Sequence, residues 1–240
     1  MDTQASNCTE RVAIVLPSLD PDKKFAGVVQ GLIENGFKHI VIVDDGSNPG
    51  HRKYFEDAAK NPECTVLRHY YNKGKGVALK DAFAYVSKNM PGLEGVCTID
   101  GDGQHLIGDI IKCCEVMLEN NDKVVLGCRD FDLPGVPARS VTGNKFTAGM
   151  LSTVFNIQIT DSQTGLRAIP TRYLDLFCEI PGDRFEYETN MLIYMKHRKI
   201  DFIQNPIETV YDPEDYSSHY NAVKDSWRIF KVMFKGLFVK

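Results

Sequence analysis

Five short runs of apolar, mostly β-branched residues recur along the first half of the chain: RVAIVLP from Arg11, HIVIVDD from His39, CTVLRHY from Cys64, GVCTID from Gly95 and KVVLGCR from Lys123. They are continuous rather than alternating, which is the pattern of strands covered on both faces. Helical patterns at about 21–35, 49–59, 77–89 and 107–119 separate them. A series of strand, helix and strand commits a chain to the α/β class, with an open, mainly parallel sheet flanked by helices.

Composition narrows the functional classes. With a net charge of −4 over 240 residues, no global basicity argues for nucleic acid. The seven cysteines contain no C-x-x-C pair, so they read as reduced cytosolic thiols, many of them in the core. The polar start MDTQASNCTE has no apolar stretch of a secretory signal, and no apolar run reaches the length of a membrane span.

Ligands of open parallel sheets sit beyond the carboxyl ends of the strands, so the polar clusters there are the candidate site. Four such tips exist. LPSLD follows the first run, ending at Asp20, and VDDGS follows the second. In VDDGS, Asp44 or Asp45 reads either as an acceptor of hydrogen bonds from a base or ribose, or as part of an ordinary turn with Ser47 or Asn48 capping a helix before Pro49. The third tip, YYNKGKG, places Lys73 and Lys75 at a helix start, which suits a diphosphate; its competitor is a glycine turn with solvated lysines. It matches neither a Walker A loop nor a dinucleotide fingerprint.

The fourth tip, IDGDGQH, is the most informative. Asp100 and Asp102 can aim two carboxylates at one ion, Gly101 and Gly103 let backbone approach a ligand, and Gln104 can add a third oxygen. Oxygen donors of this kind favour Mg2+ or Mn2+ bridging to phosphate. A calcium loop is excluded, because Gln104, His105 and Ile111 stand where that loop needs Asp or Asn, Gly and Glu. His105 reads as a neighbour contact more than a ligand.

Beyond Arg129 the rhythm changes. RDFDLPGVPARS reads as a loop, followed by a helix at about 143–155, the polar turn TDSQTGLRA and a helix at about 186–196. Together, LPSLD, VDDGS, NKGKGVAL and DGDGQH in this order resemble family 2 glycosyltransferases of the GT-A fold, with a Rossmann-like nucleotide-binding half. GCRDF, PARSVTGN, DSQTGLRAI and RFEYETNM are similar to the branch containing dolichol-phosphate mannosyltransferase and bacterial polyprenyl-phosphate glycosyltransferases. The resemblance covers about residues 10–215. It implies a single domain over 1–240, with a nucleotide-sugar-binding half at 11–129 and an acceptor-side half at 130–240.

Residue by residue, the resemblance implies that Pro17 and Asp44 or Asp45 hold the nucleoside, with Lys75, Asp100 and Gly101 beside the nucleotide sugar. Asp100, Asp102 and Gln104 match the family's metal motif. Arg129 and Arg139 match arginines around the donor and acceptor phosphates. Thr164, Gly165 and Arg167 match a segment near the acceptor, and Glu188 stands where the family has a glutamate. The implied reaction is metal-dependent, inverting transfer from a UDP- or GDP-sugar to a polyprenyl phosphate. The first tip departs from the family by reading PSLD, with no aromatic to flank the base, and leaves the base unassigned.

Acceptor chemistry separates the readings. A hydroxyl acceptor needs a base, for which Glu186, Glu188 and Asp161 are candidates. A phosphomonoester is already an anion near neutrality and needs cations, for which Arg129, Arg139 and Arg167 are available. Lys224, Arg228, Lys231 and Lys235 share one face of a C-terminal helical pattern, with Trp227, Phe230 and Phe234 on the other. That suits a peripheral position at the cytosolic face of a membrane, or equally a helix packed on its own domain. The competing functions are transfer to a glycan hydroxyl and a non-catalytic nucleotide-binding relative; the intact Asp100, Asp102 and Gln104 weigh against the latter.

Overall fold

The computed structural model describes residues 5–134 and 136–210. The five apolar runs form β1 (Val12–Ser18), β2 (Ile40–Asp44), β3 (Cys64–Arg68), β4 (Gly95–Thr98) and β5 (Val124–Cys128). The expected helices appear as α2 (Lys23–Glu34), α3 (Arg52–Ala58), α4 (Lys75–Asn89) and α5 (Ile107–Glu119), α3 being led in by a short 3-10 turn at Pro49–His51. Asp22 caps α2, accepting a 2.7 Å hydrogen bond from the Lys24 amide.

The later chain adds α6 (Ala138–Phe155), β6 (Arg167–Pro170), α7 (Leu174–Glu179), α8 (Glu186–Arg198) and β7 (Phe202–Pro206). The turn read at 160–168 therefore ends in a strand. A short helix, α1 (Ala5–Arg11), precedes β1. The seven strands order as β3-β2-β1-β4-β6-β5-β7. Only β6 runs antiparallel, pairing with β4 on one side and β5 on the other.

Side chains along each strand alternate between two cores. Ala13, Val15, Val41, Val43, Val96 and Leu126 face α4, α6, α7 and α8. Ile14, Leu16, Ile40, Ile42, Cys97 and Ile99 face α1, α2, α3 and α5. Both faces being covered explains why the runs read as continuous apolar segments. Burial of each large aliphatic side chain contributes about 1.5–3 kcal/mol, and the sheet is thereby a rigid platform for its tips. No helix among the described residues is long and apolar enough to cross a membrane. The basic amphipathic pattern around Lys224–Lys235 lies outside the described residues.

Candidate active site

The tips of β1, β2 and β4 and the loops after β3 and β5 line one cleft of about 980 Å³. Its wall includes Pro17, Asp45, Lys75, Asp100, Gly101, Asp102, Gln104, Arg129 and Glu188, so residues spread over more than 170 positions of sequence converge. Asp44 and Asp45 are placed differently. Asp44 is 1 % exposed, accepts the Ser47 amide at 2.8 Å and faces Arg68 at 3.3 Å, away from the cleft. Asp45 lies on the cleft wall.

Asp45 is held by backbone. The Lys73 and Gly74 amides donate to its two oxygens at 2.9 and 2.8 Å, and His69 contacts it at 2.7 Å. The other His69 nitrogen meets Asp81 at 2.9 Å. Gly74 has φ +106, and a side chain there would run into the Asp183 carbonyl, so the turn before α4 requires glycine.

Lys75 opens α4 but does not point to open solvent. Its ammonium sits 2.8 Å from Asp100 Oδ1 and 2.9 Å from Glu188 Oε1, with the Phe185 ring 5.8 Å away. Burial alone would lower its pKa, but the charges of Asp100 and Glu188 outweigh that and hold it above the ordinary lysine value. Burial pushes the Asp100 carboxyl up, and Lys75, His105 and Arg129 more than offset this, leaving it at about 2. Asp102 is raised, by burial first and then by the Asp100 charge. His105 is a neighbour contact: its Nδ1 accepts the Asp100 amide at 3.1 Å, and burial lowers its pKa.

Asp102 accepts the Gln104 amide at 3.0 Å, which folds the tip into a tight turn. No group of three or more His, Cys, Asp or Glu suited to a metal occurs among the described residues. A divalent ion here would therefore rest on the Asp100 and Asp102 carboxylates, the Gln104 amide and non-protein oxygens. That donor set suits Mg2+ or Mn2+, which are held by one or two carboxylates plus waters and phosphate rather than by a full protein cage.

The later half closes the site. Arg129 grips Asp161 through Nε at 2.7 Å and Nη2 at 3.2 Å, and Asp161 also accepts the Arg129 and Gln163 amides. Arg139 lies in the first turn of α6, and its side chain is outside the described residues. Thr164, Gly165 and Arg167 do not reach the cleft surface, in contrast to the acceptor contact that the sequence suggests. Thr164 donates to the Gly127 carbonyl at 2.5 Å, and the Gly165 carbonyl accepts Thr98 Oγ1 at 2.7 Å. A side chain at Gly165 would collide with the Asp100 carboxylate, so this glycine makes room for it. Arg167 is 1 % exposed and donates to the Thr164 and Glu188 carbonyls at 3.0 and 2.8 Å, which fixes α8 behind the cleft.

Glu186 and Glu188 face different ways, as their spacing predicts. Glu188 lines the cleft, whereas Glu186 turns back to accept the Asp183 and Arg184 amides at 3.0 and 3.2 Å. Arg184 is a cleft residue that sequence reading passed over; its guanidinium donates to Asn72 at 3.0 Å. Its signal in the sequence is its place as the first residue of RFEYETNM, a stretch from which only Glu186 and Glu188 are singled out.

Comparison with known proteins agrees with this geometry. The profile of glycosyl transferase family 2 matches residues 14–175. The UDP-N-acetylglucosamine–dolichyl-phosphate N-acetylglucosaminyltransferase of Methanococcus voltae is 26% identical, covering 95% of this chain and 96% of that protein. Glycosyltransferase AglJ of Haloferax volcanii is 26% identical over 94% of this chain and 72% of its own. Among solved structures, glucosyl-3-phosphoglycerate synthase from Mycobacterium tuberculosis, in complex with Mn2+, UDP and phosphoglyceric acid, superposes with a TM-score of 0.70 at 15% identity, covering 99% of this chain and 82% of that one. Mannosyl-3-phosphoglycerate synthase from Rubrobacter xylanophilus gives 0.71 at 16% identity, covering 98% and 77%. With the parallel sheet, the tips that converge on one cleft and the matching profile in agreement, the chain belongs to glycosyl transferase family 2 and has the GT-A fold.

Proposed function

We propose that this glycosyltransferase moves a sugar from a nucleotide-diphosphate sugar to a polyprenyl phosphate at a membrane surface, assisted by Mg2+ or Mn2+. One observation carries the acceptor side: every carboxylate suggested as a base is already engaged. Asp161 is fully buried against Arg129, Glu188 is paired with Lys75, and Glu186 caps backbone amides. A hydroxyl acceptor would need one of them free to take a proton, whereas a phosphate monoanion or dianion attacks without a base. The name of the Methanococcus voltae relative, a transferase to dolichyl phosphate, supports the same acceptor class.

Asp45, on the wall at the end of β2, is the residue to hold the nucleoside, with Pro17 beside it. Asp100, Asp102 and Gln104 would hold the divalent ion. When bound, it neutralises charge that gathers on the departing diphosphate. The cleft fixes the acceptor in line with the anomeric carbon. The carbon–oxygen bond to the diphosphate breaks as a phosphate oxygen forms the new one, so the anomeric carbon inverts and a nucleoside diphosphate leaves. Arg129, and Arg139 from the first turn of α6, are the cations for the acceptor phosphate, with the α6 N-terminus adding its dipole.

The test is transfer by the purified protein with Mn2+, a panel of UDP- and GDP-sugars and a short-chain polyprenyl phosphate. A lipid-linked sugar phosphate of inverted configuration is the expected product. Transfer to glycan hydroxyls, with the lipid phosphate inert, would overturn the acceptor assignment.

A further inference from the structure

The ammonium of Lys75 occupies the place where positive charge is most useful to Asp100. It touches Asp100 Oδ1 at 2.8 Å and Glu188 Oε1 at 2.9 Å, and its side chain is only 16 % exposed. Glu188 is buried in turn, and α8 is pinned behind it by Arg167, whose guanidinium donates to the Glu188 carbonyl at 2.8 Å. The second oxygen of Asp100 packs against Gly165, so the carboxylate has little room to rotate away. Lys75 therefore cannot be a loose phosphate-binding lysine, and Glu188 has a task that does not involve a proton.

We propose that Lys75 is an internal counter-cation that competes with the divalent ion for Asp100, and that Glu188 is a positioning residue that receives the ammonium when the ion enters. This rests on the reading of Asp100 and Asp102 as the metal pair. In the metal-free cleft, Lys75 balances both carboxylates. With the ion on the Asp100 side, the ammonium is repelled and Glu188 retains it, so the cleft is never left with an unpaired buried charge. Binding of the ion is thereby weakened until a diphosphate contributes further oxygens, which ties loading of metal to loading of donor.

The test needs no turnover. Mn2+ alone is titrated into the metal-free protein and free Mn2+ is followed by electron paramagnetic resonance. Lys75→Met is expected to bind Mn2+ at least about tenfold more tightly than the parent, because an opposing charge within a few ångströms is removed. Lys73→Met is the control for net charge: its ammonium lies 3.6 Å from Asp81, outside the metal pair, and its affinity should stay within about twofold of the parent. A purely structural Lys75 predicts the opposite sign, a loss of Mn2+ binding as the cleft collapses, and that result, or no change, overturns the proposal.

Should Lys75→Met fail to fold with Asp100 and Glu188 left facing each other, the pair Glu188→Gln and Lys75→Met/Glu188→Gln replaces it. The double variant must bind Mn2+ more tightly than the single one, and equality overturns the proposal. Failure of the metal reading is distinguishable: Asp102→Asn would then leave transfer activity intact. Loss of activity in Asp102→Asn with unaltered Mn2+ affinity in Lys75→Met removes the Lys75 role alone.

Discussion

The two sides of the cleft hold their carboxylates by different means. At the end of β2, Asp45 is gripped by the amides of Lys73 and Gly74 together with the His69 ring, with no lysine or arginine side chain of the described residues among its hydrogen-bond partners. On the other side, charged side chains carry the grip: the Arg129 guanidinium on Asp161, beside the Arg129 and Gln163 amides, and the Lys75 ammonium on Glu188. Backbone donors of a rigid sheet tip would stay fixed if, as proposed, a neutral base or ribose binds there. Charged side chains can exchange partners, which the proposed arrival of a phosphate and a divalent ion would require. The contrast separates a preformed socket from a set of charges that re-pair.

The sharpest break concerns the carboxylates between the two sides. Asp102→Asn is expected to lower transfer by about a thousandfold or more, with the melting temperature nearly unchanged. Full activity in this variant would remove the metal pair from the mechanism. Next in size, Asp161→Asn leaves the Arg129 charge without its buried partner, and urea unfolding should show a loss of about 3–5 kcal/mol. A cost below about 1 kcal/mol would show that the pair on this side is not holding the wall.

Asp45→Asn tests the socket. It keeps the shape but weakens charge-assisted bonds from two amides, so about 1.5–3 kcal/mol of stability is expected to go, together with nucleotide affinity measured by calorimetry. Undiminished affinity would move the nucleoside elsewhere on the wall. The smallest effect is in acid. Asp100 is held down from 3.8 to about 2, so its ionised form favours the folded chain above pH 3.8, and that contribution drains away as pH falls toward about 2. In Asp100→Asn the dependence of unfolding free energy on pH should be shallower over that window. An unchanged slope would mean Lys75 does not hold the carboxylate.

The first five strands and the cleft wall at their tips were legible in the sequence because their signals are local. Continuous apolar runs named β1 to β5, and the polar tips that follow them, Gly101–Gly103 included, line one cleft. The far side depends on pairs distant in sequence. Nothing near Lys75 indicates that Glu188 will meet it, and Arg167 looks like a phosphate ligand until burial removes it from the surface. The strands β6 and β7 went unread for a similar reason. RAIP and FIQNP are too short and too mixed to show a period, and only their neighbours in the sheet make strands of them. The helix α1 is polar and brief, and its propensity is weak without the packing of Cys8.

The position of β6 has a consequence for how the chain is made. β5 bonds to β6 and β7 and has no ladder to β4, so the sheet has a gap until residues 167–170 arrive to fill it. A nascent chain emerging from the ribosome through Cys128 can join four strands but leaves the fifth unmoored. Pulse proteolysis of stalled chains should therefore find protection of β5 only after β6 has cleared the tunnel. The segment bearing Asp161, Gly165 and Arg167 thus joins β5 to the first four strands and brings its side of the cleft into place at a late point in synthesis.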